Sequence, residues 1–314
     1  MKTVIVGTGL IGRAWAISFA RAGHEVMLWN RRSQGCAEAL AYIEQALPEL
    51  ARQDLLRGLQ PSEVLALVSA ANDLEAAVAD ADWIQENLVE SVEAKKEIFS
   101  RLDAAAKADA IIASSTSGIV PSLFTDDLPG RHRCLVAHPL NPPYLMPAVD
   151  LVPAPWTSPE TMERAADVMR ASGQVPIVMK REDTGFVTIR MQGAIYQEAF
   201  RLVADGLASP EDVDVAVREG LALRWSFIGP FETADLNAPN GIRDFVERYR
   251  GLYDTLARRD GPVAWDGALL DGIEADRRGK LPMEDHKARQ RWRDGRLMAL
   301  AAHKVARSKA EASS

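Results

Sequence analysis

Hydrophobic and polar positions follow one pattern in the first part of the chain and a different pattern in the second part. Up to about residue 183, short apolar runs alternate with stretches of helical periodicity, a pattern typical of a parallel sheet covered by helices. The predicted strands are the run before residue 7 and residues 25–29, 82–85, 110–114, 134–137, 149–152 and 175–179. Beyond Asp183 the strand signals cease. The sequence predicts an α/β protein, with an N-terminal Rossmann-type doubly wound sheet domain over 1–183 and an all-α C-terminal domain over 184–314.

Turn and capping residues set the expected helix boundaries. Residues 38–47 predict a helix that stops near Pro48, and residues 52–70 a second helical stretch that Pro61 interrupts. A capping serine, Ser209, precedes another helix. The remaining predicted helices cover residues 92–106, 186–204, 241–259, 266–278 and 284–305. We expect the last nine residues to form a frayed tail.

The first predicted strand leads directly into a glycine motif. Gly7, Gly9 and Gly12 have the spacing Gly-x-Gly-x-x-Gly, and a helical pattern begins at once. Such glycines permit a tight turn, let backbone N–H groups approach a pyrophosphate and let the helix pack against the strand. A second strand follows at the βαβ distance, so we expect Leu10 and Ile11 to join the three glycines in a dinucleotide site.

The residues after the second predicted strand refine the choice of cofactor. NAD sites usually carry an acidic residue there, which holds the ribose hydroxyls. This chain carries Asn30, Arg31 and Arg32 instead. An amide beside two guanidinium groups attracts a 2′-phosphate, which a carboxylate would repel. The sequence therefore favours NADP(H), with NAD(H) as the second choice and a solvated basic turn as the alternative explanation.

Composition narrows the class of protein. The 314 residues, 47% hydrophobic and 26% charged, suit a globular protein of two domains. A net charge of −7 argues against nucleic acid or an anionic membrane as the partner. Cys36 and Cys134 lack the spacing of a disulfide framework or a metal site, and no apolar run reaches the length of a membrane span. We therefore expect a cytoplasmic protein that holds no metal.

Polar side chains follow two of the predicted buried strands. Ser115 and Ser117 come after one of them, and His138 comes after the next. Active sites of doubly wound folds lie at these carboxyl ends, so His138 is a candidate acid/base group, although such a histidine can also be purely structural. Asp150 opens the following strand and is placed to orient the imidazole.

In combination these motifs resemble the 3-hydroxyacyl-CoA dehydrogenase superfamily. The resemblance rests on the N-terminal glycines, Asn87-Leu88-Val89-Glu90 with Lys95, Ser115-Thr116-Ser117, His138-Pro139-Leu140-Asn141-Pro142 and Gly185-Phe186-Val187. Two later stretches, Leu223-Arg224-Trp225-Ser226-Phe227-Ile228-Gly229-Pro230 and Arg291-Trp292-Arg293-Asp294, are similar to the branch of lambda-crystallin/L-gulonate 3-dehydrogenase and carnitine 3-dehydrogenase. The resemblance spans nearly the whole chain.

The resemblance implies a role for several residues. The serine that matches Ser117 binds the substrate oxygen, and the histidine that matches His138 exchanges a proton with the substrate as hydride passes to or from the nicotinamide. Glu90 and Lys95 match residues that line the cofactor, and Asn87 is assigned to the same site. The branch also implies a homodimer built through the helical domain.

Arg224 separates this branch from enzymes of acyl-CoA substrates. We expect a guanidinium near a hydride-transfer site to pair with a small carboxylate and to orient a 3-hydroxy acid. The alternative is a salt bridge between helices. Trp225 is either a core residue or part of an aromatic wall that suits a cationic substrate.

Three positions depart from the family pattern. Asn30 with its two arginines replaces the residue that reads NAD, and Asp150 stands where the family usually has Glu. Ile189 replaces the family's catalytic asparagine and can neither donate nor accept a hydrogen bond. Either Ile189 fills the core, or the substrate presents an apolar surface there.

The predicted function is therefore that of an NADP(H)-preferring oxidoreductase that interconverts a small 3-hydroxy acid, of the gulonate kind, with its keto form. His138 serves as acid/base, Ser117 as oxygen ligand, Asp150 as orienting group and Arg224 as carboxylate clamp. Two alternatives keep the scaffold: a dehydrogenase of a carnitine-like cationic alcohol, or a reductase of imines. A third is a nucleotide-binding protein with little catalysis.

Overall fold

Eight strands form one sheet in the computed structural model, which describes residues 1–257, 267–280 and 282–311. They are β1 (Lys2–Val6), β2 (Glu25–Trp29), β3 (Val68–Ala71), β4 (Trp83–Glu86), β5 (Ile111–Ser114), β6 (Cys134–Pro139), β7 (Ala148–Pro153) and β8 (Val175–Val178). The order across the sheet is β3-β2-β1-β4-β5-β6-β7-β8, and neighbouring strands are parallel except β6 with β7. Strand order reverses between β1 and β4, which is where doubly wound sheets bind their ligands.

Helices connect the strands and continue after the last one. They are α1 (Leu10–Ala20), α2 (Ser33–Arg52), α3 (Pro61–Ala66), α4 (Leu74–Val78), α5 (Val92–Ala105), α6 (Ser122–Thr125), α7 (Pro159–Ala171), α8 (Val187–Ala204), α9 (Pro210–Val215), α10 (Ala222–Trp225), α11 (Pro230–Leu236), α12 (Ile242–Ala257), α13 (Gly267–Lys280) and α14 (His286–Glu311). A π-helical segment, Ala216–Leu221, lies between α9 and α10. Among the described helices, none is both long and apolar enough to cross a membrane.

Two apolar clusters fill the space on the two faces of the sheet. One cluster joins Trp15 of α1 and Ile43 of α2 to Ile5 of β1. The other joins Phe99 of α5 to Ile84 of β4. Alternate strand residues therefore enter different clusters, as expected for a sheet buried on both sides. The predicted α/β class with a helical C-terminal region is confirmed.

The connection between β2 and β4 differs from the prediction. Helix α2 does not stop at Pro48 but runs through it to Arg52. The apolar face of α2 includes Leu47 and Leu50, which are both buried, and their burial offsets the backbone hydrogen bond that Pro48 removes. Pro61 begins a helix rather than interrupting one, because the first helical position needs no N–H.

Residues 68–70, predicted as the end of a helix, belong to the edge strand β3. Val68 pairs with Val26 of β2 in a parallel ladder. Four helices, α4, α6, α7 and α11, were not predicted, although α7 carries a capping Ser158 followed by Pro159. Beyond the sheet, Ser209 caps α9 as expected.

By its internal contacts the chain divides into two units. The first contains Met1–Arg190 with Ala288–Ser314, and the second contains Met191–Lys287. The sequence-based division at 183 assigns all later residues to the helical domain, whereas α14 groups with the sheet because Met298 is buried in its core. Helix α14 also continues to Glu311, through most of the predicted frayed tail; residues 312–314 lie outside the described residues.

Candidate active site

The carboxyl ends of the central strands lie level with one another. Val6 pairs with Glu86, Glu86 with Ser114, and Ser114 with Val136, so these residues form one row across β1, β4, β5 and β6. The residues that follow each of them meet at one edge of the sheet, beside the reversal of strand order. His138 lies at the same end of β6. The predicted glycine loop, serine loop and histidine therefore share one edge.

The glycine loop has the space that a pyrophosphate requires. Gly7 has a φ of +91°, and a Cβ there would lie 2.9 Å from the carbonyl oxygen of Asn87. A Cβ on Gly12 would lie 1.9 Å from the carbonyl oxygen of Gly7. Gly9 has open space around it, and no side chain caps the first turn of α1, where Leu10 and Ile11 lie. The loop and the N–H groups of that turn thus fit the pyrophosphate of a dinucleotide.

Asn30 closes the far side of the glycine loop. Its amide nitrogen donates a hydrogen bond to Thr8 Oγ1 at 2.8 Å. A Cβ on Gly35 would lie 1.9 Å from the same nitrogen, so this amide fills the space between the loop and α2. Arg31 and Arg32 follow with exposed side chains. Two guanidinium groups are therefore available beside the place where a dinucleotide ribose binds in such folds.

A polar network supports this edge from within the sheet. Ser115 Oγ accepts hydrogen bonds from Trp15 Nε1 at 3.0 Å and from Gln85 Nε2 at 2.7 Å, and donates one to Asn87 Oδ1 at 2.7 Å. Asn87 Nδ2 in turn donates to the Gln85 carbonyl at 2.8 Å. Both ends of the Asn87 amide are thus engaged within the protein, and contact of Asn87 with a cofactor stays a prediction.

Lys95 lies beneath the edge of the sheet rather than on it. Its side chain is 1% exposed, and Nζ donates to Glu86 Oε2 at 2.8 Å. The Glu86 carboxylate also accepts from Ser114 Oγ and from the N–H of Leu88, each at 2.6 Å. A buried ion pair needs such further hydrogen bonds to be stable. In this structure the ammonium group of Lys95 is paired with Glu86, and contact of Lys95 with a cofactor stays a prediction.

Glu90 organises the loop that carries the candidate oxygen ligand. Glu90 Oε1 accepts hydrogen bonds from the Thr116 hydroxyl, from the N–H of Ser117 at 3.1 Å and from the N–H of Gly118 at 3.2 Å. These bonds fix the backbone on both sides of Ser117, whose side chain is exposed. Glu90 thus positions Ser117, a role that the sequence does not reveal.

His138 and Asp150 form a direct pair across two antiparallel strands. They are opposite each other in the β6–β7 ladder, and Nδ1 of His138 lies 3.2 Å from Oδ2 of Asp150. Both side chains are buried, and the imidazole packs against the ring of Phe186 at 5.5 Å between ring centroids. The carboxylate accepts only, so Nδ1 carries the proton of this bond and Nε2 keeps its lone pair. Such an imidazole is set up to accept a proton at Nε2.

A third residue completes this pair. The Thr188 hydroxyl donates to Asp150 Oδ2, and the N–H of Thr188 donates to the same oxygen at 3.3 Å. Asp150 Oδ1 is buried and has no hydrogen-bond partner among the described residues. All the donors described around this carboxylate therefore converge on the one oxygen that faces His138.

Tyr144 anchors the loop that follows His138. Its hydroxyl lies 2.7 Å from that of Tyr42 in α2, and the Arg13 guanidinium stacks 3.8 Å above the centre of the Tyr42 ring. Burial holds the pKa of Tyr144 above its usual range, so the phenol stays neutral. The loop is thereby tied to the helices that flank the glycine motif.

The three predicted substrate residues lie in helices α8 and α10. Ile189 is half-buried in the first turn of α8, beside Thr188. Arg224 and Trp225 belong to α10 in the second unit. Arg224 is half-buried, and its Nε has no hydrogen-bond partner among the described residues. Contact of these residues with a substrate stays a prediction.

Three functional neighbours were missed in the sequence. Gln85 and Glu86 are polar residues at the end of strand β4. Polar side chains at the end of an otherwise apolar strand are the signal by which both could have been identified from the sequence. Thr188 offers no such signal, because its relation to Asp150 arises only when α8 begins beside β7.

Comparison with known proteins gives two family matches that cover most of the chain. Residues 2–183 match the family model described as 3-hydroxyacyl-CoA dehydrogenase, NAD binding domain. Residues 185–265 match the one described as 3-hydroxyacyl-CoA dehydrogenase, C-terminal domain.

Individual relatives extend over nearly the full length. The lambda-crystallin homolog of Homo sapiens is 40% identical over 302 residues, covering 95% of this chain and 94% of the relative. L-carnitine dehydrogenase of Burkholderia mallei is 34% identical over 290 residues, covering 92% and 89%. Among solved structures, an NAD⁺-dependent 5-formyl-3-hydroxy-2-methylpyridine 4-carboxylic acid 5-dehydrogenase has a TM-score of 0.80 at 24% identity, covering 96% of this chain and 97% of that one. At that identity the structural likeness shows the fold alone.

Proposed function

Since the chain belongs to the 3-hydroxyacyl-CoA dehydrogenase family and is a nicotinamide-dependent dehydrogenase acting on CH–OH groups, we propose that it interconverts a small 3-hydroxy acid with its keto form. The observation that carries the proposal is the buried His138–Asp150 pair at the edge of the sheet shared with the glycine loop. A buried imidazole with one nitrogen fixed and the other available is the acid/base group that such a reaction needs.

The chain's own residues supply proton transfer and orientation. In the oxidation direction, His138 Nε2 takes the proton of the substrate hydroxyl, while Asp150 stabilises the imidazolium that forms. The Ser117 hydroxyl donates to the substrate oxygen from a loop that Glu90 holds in place. When bound, the nicotinamide cofactor supplies the hydride acceptor. In the reduction direction the same groups act in reverse.

The preferred cofactor in this proposal is NADP(H). Support comes from Arg31 and Arg32, whose exposed guanidinium groups follow β2, and from an amide, Asn30, where NAD-binding folds usually carry a carboxylate. Gly7, Gly9, Leu10, Ile11 and Gly12 would hold the pyrophosphate through backbone N–H groups. NAD(H) remains the second choice.

The proposed substrate is a small carboxylate rather than a coenzyme A ester. Arg224 has an unpaired Nε among the described residues and would clamp the carboxylate. Ile189 would present an apolar surface in place of an amide, and Trp225, 36% exposed, would form an aromatic wall. A bound carboxylate would hold the hydroxyl carbon in a fixed place, which lowers the entropic part of the barrier.

We further propose a homodimer formed through the helical region and a cytoplasmic location. Support for the first comes from the exposed aromatic and aliphatic side chains of the second unit, among them Phe227, Phe231 and Leu236. Support for the second comes from Cys36 and Cys134, which are both free thiols, as the reducing cytosol favours.

A substrate scan tests the proposal. NADP⁺ reduction is followed spectroscopically with gulonate, other 3-hydroxy acids, carnitine and 3-hydroxybutyryl-CoA, and Arg224→Lys is measured beside a matched surface control, Arg164→Lys. We expect turnover of a small 3-hydroxy acid, with a KM that rises about tenfold in Arg224→Lys and is unchanged in the control. Turnover of the CoA ester alone would contradict the proposal, and so would tight NADPH binding without turnover of any compound.

A specific observation favours one second candidate, a cationic hydroxy acid of the carnitine type. Trp225 and Phe227 are aromatic and exposed, at 36% and 76%, on either side of Ser226 in the residues that follow Arg224. Aromatic faces attract quaternary ammonium groups. Trp225→Leu would then weaken binding of carnitine while leaving binding of a 3-hydroxy acid that carries no cationic group within about twofold.

A further inference from the structure

We propose that Thr188 is a positioning residue for the reaction: its hydroxyl fixes the Asp150 carboxylate and thereby the tautomer and orientation of His138. The inference rests on the proposed acid/base role of His138. The observation behind it is that Thr188 donates to Asp150 Oδ2 through both its hydroxyl and its backbone N–H.

The strand register creates the need for such a residue. His138 and Asp150 are directly opposite in an antiparallel ladder, where the Cβ atoms of a pair are about 5 Å apart. An aspartate fills that gap and reaches Nδ1 at 3.2 Å. However, rotation about the last bond of an aspartate side chain is broad and roughly two-fold. The ladder by itself does not fix which oxygen faces the imidazole, or at what tilt.

Thr188 removes this freedom. A carboxylate only accepts hydrogen bonds, so the Thr188 hydroxyl is the donor. Its bond and the bond from the backbone N–H both end on Oδ2, the oxygen that faces His138. Oδ1 is buried without a partner among the described residues, so no competing donor described there turns the carboxylate the other way. The hydroxyl is the only side-chain donor to Asp150 in the described structure besides His138.

The consequence for His138 lies in its tautomer. A carboxylate held towards Nδ1 stabilises the form with the proton on Nδ1 and leaves Nε2 able to accept the substrate proton. If the carboxylate rotates, that preference weakens, and part of the population carries its proton on Nε2, where it cannot act as base. Phe186, packed against the ring, limits the tilt of the imidazole but offers no hydrogen bond to select a tautomer.

The first test reads the imidazole directly and needs no substrate. Nitrogen-15 NMR of the histidine side chains is recorded on the full-length protein under conditions in which His138 is neutral. The chain has five histidines, and His138→Gln assigns the signal. We expect a single Nδ1–H pattern in the wild type and in Thr188→Ser, which keeps the hydroxyl, and averaged nitrogen shifts from mixed tautomers in Thr188→Val. An Nδ1–H pattern in Thr188→Val equal to that of the wild type would overturn the proposal.

The second test is kinetic and uses the hydroxy acid that the substrate scan identifies. Thr188→Val should lower kcat about tenfold and leave both KM values within about twofold, since the substrate and cofactor contacts stay in place. Thr188→Ser should recover most of the rate. The matched control is Thr184→Val, whose hydroxyl is exposed four residues earlier. Equal rates in Thr188→Val and Thr184→Val would contradict the proposal.

The two arms separate this inference from the proposed function. If no hydroxy acid is turned over, the proposed function fails, and the NMR comparison still decides whether Thr188 sets the tautomer. Should Thr188→Val fold poorly by thermal melting, Thr188→Ala takes its place, because it also removes the hydroxyl and adds no bulk. Wild-type nitrogen shifts in Thr188→Ala would equally refute the role.

Discussion

At the scale of single residues, the candidate site depends on a buried carboxylate whose described hydrogen bonds all end on one oxygen. Asp150 has no solvent exposure and uses one oxygen for His138 and Thr188. Removal of His138 or of the Thr188 hydroxyl leaves the buried Asp150 carboxylate with one hydrogen bond fewer, which is costly in a low-dielectric environment. We therefore attribute the chemistry to the group as a unit rather than to His138 alone.

Cofactor choice is a second question at this scale. Arg31→Ala should weaken NADPH binding about tenfold or more and change NADH binding less than about twofold, because a charge-assisted bond to the 2′-phosphate is lost. Fluorescence titration with both nucleotides measures this. Arg52→Ala, at the end of α2, is the matched control, since its side chain pairs with Glu49 away from the glycine loop. An equal loss of affinity for both nucleotides in Arg31→Ala would contradict the proposed contact between Arg31 and the 2′-phosphate.

The positions of residues at strand ends could be predicted from the sequence. Ser117 and His138 lie at the edge of the sheet where polar side chains follow apolar runs, and their roles stay predictions. Lys95 and Asn87 were placed on the cofactor surface by resemblance, whereas the structure commits their side chains to Glu86 and to Ser115 and the backbone of Gln85. Such commitments depend on strand register and burial, which one sequence does not contain.

At the scale of elements, two glycines of the glycine loop are expected to serve different purposes. We expect Gly12 to be needed for packing within the fold and Gly9 to be needed for nucleotide binding. Gly12→Ala places a Cβ 1.9 Å from the Gly7 carbonyl oxygen, so we expect a loss of about 2 kcal/mol in the free energy of unfolding. Gly9→Ala meets no atom within 4 Å, so it should cost less than about 1 kcal/mol and yet weaken NADPH binding about tenfold or more. Urea unfolding and nucleotide titration of both variants provide the check. Equal stability of the two variants would contradict this account of the loop.

The elements themselves were predictable where hydrophobic pattern and capping agree. Strands β1, β2 and β4 to β8 follow apolar runs, and α9 follows its capping serine. Pro48 misled the prediction, because burial of one face of α2 outweighs a local breaking signal. The strand β3 was missed because its small residues become a strand only by pairing with β2.

At the scale of the whole molecule, a buried histidine away from the candidate site makes stability depend on pH. His24, between α1 and β2, lies 3.0 Å from Thr3 Oγ1 through Nδ1. Burial, with the nearby N-terminal charge and Arg57, lowers the pKa of His24 to about 4. The folded pKa lies below the usual value of about 6.5, so the unfolded chain binds the proton more readily. This contribution to stability is complete above about pH 6.5 and is lost as the pH falls towards 4.

The expected loss is about 1 kcal/mol between pH 7.5 and pH 5, with screening by solvent taken into account. Urea unfolding at both pH values measures it. His24→Gln should remove that part of the pH dependence, whereas His132→Gln, an exposed histidine, should not. If the wild type and His24→Gln lose stability equally, the burial argument is wrong.

Assembly is the second property at this scale. The chain mass is 34.3 kDa, and sedimentation should give about twice that value if the helical region forms the proposed dimer. Phe231, 79% exposed, is a suitable probe: Phe231→Glu should shift the protein towards monomer, while Leu123→Glu, at a 50% exposed position in the first unit, should not. A wild-type monomer at micromolar concentration would contradict the proposed assembly.

The overall division of the chain was predictable only in outline. The end of strand signals near residue 183 marks the end of the sheet strands correctly, because β8 ends at Val178. The return of α14 to the sheet was not predictable, since an amphipathic pattern does not reveal which unit its apolar face covers.

The acid/base role of His138 can be tested through the rate of NADP⁺ reduction by small 3-hydroxy acids, compared between the wild type and His138→Gln. We expect turnover by the wild type and a fall in kcat of about 10²- to 10⁴-fold in the variant, with nucleotide affinity retained. His132→Gln, which changes an exposed histidine in the same way, should keep the full rate. A His138→Gln enzyme that oxidises the same hydroxy acid at the wild-type rate would contradict the account.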